Sequence, residues 1–494
     1  MKIHSPDTEG IGNPKRTSIP FSIVVPLLLV LMSCAGTGRI NEIIARHRGE
    51  KITEYEAFRD PDYPPDKRIE MLPEWTPVSH LVVSDRGVSS ILPNDDPENR
   101  FYIDFILRAS EYVDILIIVS EESGFERILS LLREYGRLSL IDQGRIKFLV
   151  AFHNSKWIRD YGPFFGTDRS GMLYCFDTMY NNIRIGESFE PRPDDEIMPQ
   201  FLLGFMSDRR RGIRSIRIPY VLNGGDFFTD GEGICYISKE TVLSNGGDFN
   251  DAALILRHYF GAQKCVFMET LPPHIIIPHI DMFFKLVTGN ICLLGRYEDS
   301  NPDPVLEVIQ KWCNESLEKN YAILRASNPD MRVYRVPMPN IEKRSGHPID
   351  GYYAKIIDII NRNLSLEAGS EDSTLWDTGL CPEEAAEVLL EDFEKIKEMS
   401  LRNRLLGIPE SHYVTRTYLN SLFINGNRKA VLLPVYEDHE GLNARVRTIY
   451  EEVYTEAYGT VDIIPVYADL LIPFDGAIHC ITATLPADTA KERR

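Results

Sequence analysis

The chain has 494 residues, 43% of them apolar and 26% charged. That suffices for a large hydrophobic core, in one large domain or two to three ordinary ones. The net charge of -19 argues against a nucleic-acid partner, because phosphate backbones are held by basic patches; an acidic body would attract cations weakly at long range, though solubility alone accounts for it.

In chain order, Lys15 and Arg16 precede an apolar stretch from Phe21 to Met32 that is short for a membrane span. It runs into Leu31-Met32-Ser33-Cys34 and then small residues. The pattern resembles a bacterial lipobox and predicts a signal peptide over 1–33, lipidation at Cys34 and attachment to a membrane of the bacterial envelope. A conventionally cleaved signal and an uncleaved anchor are the competing readings. Residues 34–67 are polar, with Pro61, Pro64 and Pro65, and read as a stalk.

The folded domain is expected over 68–488, followed by a tail at 489–494. Helix and strand patterns alternate along it, predicting an α/β fold. Glu98 to Ser110 and Glu122 to Tyr135 carry helical spacing, while Val113 to Val119 and Ile146 to Phe152 read as buried strands. Near the C-terminus, strands over 430–435 and 461–466 flank a helix over 443–458. The pentapeptide Asn-Gly-Gly-Asp-Phe occurs at 223–227 and again at 245–249, as repeated units or as local turn chemistry. Residues of about 340–410 stand apart as a helical insertion, a lid, a partner surface or a packed decoration.

Of eight cysteines none forms a Cys-x-x-Cys pair, so zinc-ribbon and thioredoxin-like readings fail. Cys292, inside Ile291-Cys292-Leu293-Leu294, reads as a buried free thiol.

Four polar runs carry the candidate chemistry: Trp157-Ile158-Arg159-Asp160-Tyr161-Gly162-Pro163, Asn223-Gly224-Gly225-Asp226, His279-Ile280-Asp281 and Ile478-His479-Cys480-Ile481-Thr482. Each alone has a plain structural explanation; Cys480 by itself would be an inert buried thiol. Together they supply a thiol, an imidazole and at least two carboxylates, a set suited to a planar cationic carbon. Carboxylates at Asp160 and Asp281 can bind guanidinium N–H groups in forked pairs. A Cys480 thiolate can attack, and His279 can protonate the leaving amine and then activate water. If His279-Ile280-Asp281 is a strand or its entrance, positions i and i+2 share a face and both side chains reach one substrate. Trp157 can offer a ring face to the cation, and Asn223 and Asp226 flank a Gly-Gly pair that permits close backbone approach. No metal or other cofactor is required.

The same runs, with Leu72-Pro73-Glu74-Trp75-Thr76-Pro77, resemble agmatine deiminases and Porphyromonas-type peptidyl-arginine deiminases, within the guanidino-group-modifying superfamily. The resemblance implies a five-bladed pentein α/β propeller of pseudo-fivefold repeats with its site at the axis. It implies Cys480 as nucleophile, His279 as acid/base, Asp160 and Asp281 as guanidinium carboxylates, and Trp157 and Asn420 as pocket residues. Two departures bear on the substrate. Agmatine deiminases commonly carry Glu where Asn223 stands. In Tyr180-Asn181-Asn182-Ile183-Arg184 only Arg184 matches the two arginines with which peptidyl enzymes grip a substrate carboxylate. The resemblance therefore implies hydrolysis of an arginine guanidino group (peptidyl, C-terminal or free) to citrulline and ammonia. Agmatine conversion to N-carbamoylputrescine and a silent binding lipoprotein are the alternatives.

Overall fold

A computed structural model describes residues 69–87, 97–180, 192–207, 213–271, 279–343, 413–472 and 476–488. The expected signal peptide, Cys34, the expected stalk, Arg184, the 489–494 tail and most of the expected 340–410 insertion lie outside these residues.

The first strands are β1 (Ile69–Met71) and β2 (Val78–Ser84), followed by α1 (Pro97–Ser110), β3 (Asp114–Val119), α2 (Glu122–Glu134) and β4 (Ile146–Val150). Helical spacing in α2 puts Ile128, Leu131 and Leu132 in the core. The one-turn helix α3 (Ile158–Tyr161) then leads into β5 (Phe164–Asp168), β6 (Leu173–Met179), α4 (Met198–Ser207) and β7 (Ile213–Val221). Strand β6 is buried along its whole length, as expected for a strand covered on both faces. Next come β8 (Phe227–Thr229), β9 (Ile234–Ser238), α5 (Lys239–Ser244), α6 (Phe249–Phe260) and β10 (Lys264–Met268). They are followed by β11 (Phe284–Thr288), β12 (Ile291–Tyr297), α7 (Pro304–Ser327) and β13 (Arg332–Met338). A ribbon of β14 (Glu342–Lys343) and β15 (Tyr413–Val414) precedes β16 (Leu422–Asn425), β17 (Lys429–Val435), α8 (Glu440–Tyr458), β18 (Asp462–Tyr467) and β19 (Ala483–Pro486).

Apart from that ribbon, the described strands form five mixed sheets. Three of them, β8–β9–β10, β11–β12–β13 and β16–β17–β18, are one antiparallel pair followed by a parallel neighbour; β1–β5–β6–β7 adds an antiparallel edge strand to that pattern, and β19–β2–β3–β4 a second parallel one. A parallel neighbour demands a crossover, and helices α4, α6, α7 and α8 provide it in four of the sheets. The fifth sheet, β19–β2–β3–β4, joins the two ends of the described chain, with Ala483 opposite Val82.

The repeated pentapeptide takes two conformations. At 224–226 it is a turn of 3-10 helix leading into β8. At 245–249, Gly246 and Gly247 have φ of 99° and 81°, and Asp248 caps α6 by accepting from the backbone N–H groups of Asn250 and Asp251. Identical sequence serves a site turn in one place and a helix boundary in the other, so it marks local turn chemistry rather than a structural repeat. Among the described residues, no helix is long and apolar enough to cross a membrane.

Candidate active site

The site is assembled from short segments that lead into the first strand of a hairpin (β5, β8, β11 and β16) or, at Cys480, into β19, which pairs with β2. Asp160 lies on α3 before β5, Asn223 and Asp226 flank the turn before β8, and His279 and Asp281 precede β11. Asn420 precedes β16, and Cys480 precedes β19. All are buried, Cys480 to 2% exposure.

The expectation that His279-Ile280-Asp281 shares a strand face is corrected at its local geometry. Residues Ile280–Met282 form a 3-10 turn, and β11 starts only at Phe284. Asp226 fixes this turn: one of its oxygens accepts from the Ile280 N–H at 3.1 Å and the other from the Thr241 hydroxyl at 2.9 Å. Both Asp226 oxygens are thus occupied by protein, which makes it a brace for the turn.

The thiol sits among acceptors. Cys480 Sγ is 3.6 Å from Asp281 Oδ2 and 3.0 Å from Asn420 Nδ2, whose N–H donates to the sulfur. Asn420 also binds the loop backbone, its Oδ1 accepting from the N–H groups of Ala477 and Cys480 at 3.1 and 3.2 Å. Burial, together with the charges of Asp281 and Asp160, pushes the Cys480 thiol well above its ordinary value; the Asn420 hydrogen bond opposes the shift.

The two carboxylates differ in state. Burial raises Asp160 to about 6, against the lowering field of His279 and reinforced by Asp281. Burial also opposes ionisation of Asp281, but the His479 hydrogen bond and the charges of His479, His279 and Arg159 outweigh it and hold Asp281 below the usual range. His279 is placed between partners: Nδ1 is 3.5 Å from Asp160 Oδ1 and Nε2 is 3.2 Å from Asn223 Nδ2. Asp160 Oδ1, Asp281 Oδ1 and Asn223 Oδ1 are buried without a hydrogen-bond donor among the described residues. Unpartnered acceptors on three buried residues of one cluster present complementary chemistry to a flat cation rich in N–H donors.

Close packing requires the glycines of Asn223-Gly224-Gly225-Asp226. A Cβ on Gly224 would lie 2.0 Å from the Arg159 carbonyl oxygen, and one on Gly225 would lie 2.7 Å from His279 Nδ1. Trp157 is half-buried beside the Cys480 loop, its ring against Gly476.

A second layer, not singled out from sequence, lies behind these residues. His479 Nδ1 is 2.7 Å from Asp281 Oδ2 and His479 Nε2 is 3.5 Å from Glu74 Oε2. Burial and the charges of Arg159 and Lys285 lower the His479 value, while the Glu74 charge and the Asp281 hydrogen bond oppose the shift. Glu74 pairs with buried Lys285, which also donates to the Ser421 carbonyl at 2.6 Å. Glu74 is held far below the carboxylate range: burial opposes this, and the charges of Lys285 and His479 prevail. Arg159 ties the Cys480 loop to α3 through its backbone N–H to the Cys480 carbonyl at 3.1 Å and its Nε to the His479 carbonyl at 3.3 Å. A recess lined by Pro73, Glu74, Arg159, Phe228 and His479 opens behind the thiol, and Cys480 is absent from its wall. The signals for this layer were present. Glu74, Arg159 and His479 lie inside the quoted runs, and Lys285 is the lone charge in the apolar pattern Phe284-Lys285-Leu286-Val287.

Comparison with protein families matches residues 70–486 to the Porphyromonas-type peptidyl-arginine deiminases. The chain belongs to this family. As a member it is a hydrolase acting on C–N bonds of guanidino groups. The agmatine deiminase of Pseudomonas aeruginosa (strain LESB58) is 22% identical over 355 residues, spanning 70% of this chain and 78% of the relative. The solved agmatine deiminase of C. jejuni superposes with a TM-score of 0.56 at 17% identity, covering 87% of this chain and 99% of that one. That of Enterococcus faecalis gives 0.58 at 16% identity, over 85% and 96%. At such identities the solved structures speak for a shared α/β fold.

Proposed function

We propose that this deiminase hydrolyses the guanidino group of arginine, within a peptide, at a C-terminus or free, to citrulline and ammonia. One observation carries the reading: the Cys480 thiol stands against Asp281 and Asn420 and in the field of Asp160, which pairs with His279. Asp160 and Asp281 bind the guanidinium N–H groups and fix its plane. The bound cation offsets the carboxylate field that disfavours thiolate, so substrate binding promotes loss of the Cys480 proton. The thiolate attacks the central carbon, His279 gives a proton to the departing ammonia, and a covalent thiouronium remains. Water, deprotonated by His279, adds to that carbon; the C–S bond breaks, returning the thiolate and releasing the ureido product.

Arginine is favoured over agmatine by Asn223, a buried amide where agmatine deiminases commonly carry Glu. Trp157 shields the pocket in this reading, and Arg184 contacts the substrate carboxylate. Agmatine is the second reading, favoured by the names of the relatives above, with N-carbamoylputrescine as product. The five sheets are proposed to close as a five-bladed propeller around the Cys480 axis, and Cys34 to carry a lipid that tethers the enzyme in the bacterial envelope.

The test is release of ammonia and ureido product from agmatine, free arginine and peptides with internal or C-terminal arginine, beside Cys480→Ala. Cys480-dependent turnover of an arginine substrate supports the proposal. Turnover of agmatine alone selects the second reading, and a folded protein inert toward all of them sinks both. Labelling with radioactive palmitate, lost in Cys34→Ala, tests the tether.

A further inference from the structure

Two thiols away from the site stand side by side. Cys235 on β9 and Cys265 on β10 are register partners across a parallel ladder, and their sulfurs are 3.4 Å apart. Neighbouring strands run about 4.8 Å apart, a backbone separation that a disulfide spans. Cys235 is buried at 2% exposure, whereas Cys265 is only half-buried.

The pair is polarised. Cys235 donates its S–H to Cys265. That bond holds the Cys265 thiol below its ordinary value against a burial effect, with help from the Arg257 charge, and the same bond plus burial raises Cys235. The more exposed sulfur is therefore the better thiolate, and the buried one is the proton donor beside it. Burial pushes Cys175, Cys292 and Cys313 upward instead.

We propose that Cys235 and Cys265 are a modification site, joined by a small disulfide oxidant into one reversible disulfide across β9 and β10. The Cys265 thiolate attacks one sulfur of the oxidant, expelling the other as a thiolate and leaving a mixed disulfide. Cys235 passes its proton to the expelled thiolate and attacks the Cys265 sulfur, releasing the second oxidant thiolate, which takes a proton from solvent. Two cysteine thiols are oxidised and one oxidant disulfide becomes two thiols. The link closes a loop of 30 residues and limits the unfolded chain. It braces the strand ending at Ser238, which caps α5, from which Thr241 reaches Asp226.

The full chain, reduced and freed of reductant, is incubated with oxidised glutathione, alkylated, digested without reduction and read by mass spectrometry. The expected product is a peptide pair joined through Cys235 and Cys265, with two fewer titratable thiols and a melting temperature raised reversibly, dithiothreitol restoring the original value. Cys265→Ser forms no link and shows no rise; Cys235→Ala stops at a glutathione adduct on Cys265. A persistent adduct on Cys265 of the parent protein overturns the proposal. Both thiols unchanged in the folded protein, or a link through any other cysteine in place of this one, does so too.

Discussion

Asp160 is the residue at which binding and stability pull in opposite directions. Its folded value of about 6 lies above the 3.8 of a free carboxyl. A raised value means that its titration favours the fold below about pH 4, and this advantage is lost as pH rises through about 6. Asp160→Asn removes that loss. Relative to the parent, the substrate-free variant should gain stability between pH 4 and 6, by up to about 3 kcal/mol above that range. Melting temperatures of both proteins across pH 4–8 check the sign. The same variant should lose at least about 100-fold in kcat/KM, because one charge-assisted pair to the guanidinium disappears. In the parent, kcat/KM should fall below about pH 6 as Asp160 protonates, and the residual activity of Asp160→Asn should lack that limb.

Glu74 invites the opposite expectation. Its carboxylate compensates Lys285, 1% exposed, and faces His479. Glu74→Gln leaves a cation buried beside neutral partners and should cost about 3–5 kcal/mol in urea unfolding. Glu74→Gln with Lys285→Met should recover a large part of that loss, since neither charge then remains. Equal destabilisation in the single and double variants would show that the pair is not coupled.

At the scale of elements, the lead-in segments explain what the sequence revealed and what it hid. Helices α1 and α2 and strands β3 and β4 begin and end within a residue or two of their hydrophobic periods, but β4, read as buried, is an edge strand in which Ile146 is buried and Val150 is 64% exposed. The His279-Ile280-Asp281 turn departs from its reading: its geometry depends on Asp226, 54 residues from Ile280, and no local period encodes that bond. The chemical runs were readable because a thiol, imidazole and carboxylates beside Gly-Gly and Gly-Pro are poor core formers. The layer of Glu74, Lys285 and His479 was obscured because each contact joins segments far apart in sequence, Lys285 and Glu74 being separated by 211 residues. The turn before β8 permits a sharp test. Gly225→Ala brings a methyl to 2.7 Å from His279 Nδ1 and should reduce kcat at least about tenfold while the protein stays folded by circular dichroism. Activity within twofold of the parent would mean that His279 can move without consequence.

For the whole molecule, the decisive contact is β19 against β2. It brings the last described strand to the second and completes a four-stranded sheet. Removing residues from 483 onward should therefore leave a chain that unfolds at lower urea than the parent and lacks turnover, although Cys480 is retained. Parent-like stability would place the burden of closure elsewhere.

That contact also sets a clock on biosynthesis. Glu74 and Asp160 emerge from the ribosome long before Cys480, the thiol beside which they come to lie. A nascent or prematurely stopped chain carries the acidic half of the pocket and no nucleophile. Chemical competence thus waits until translation has passed Cys480 and β19, and a chain stopped before them is silent toward guanidino substrates.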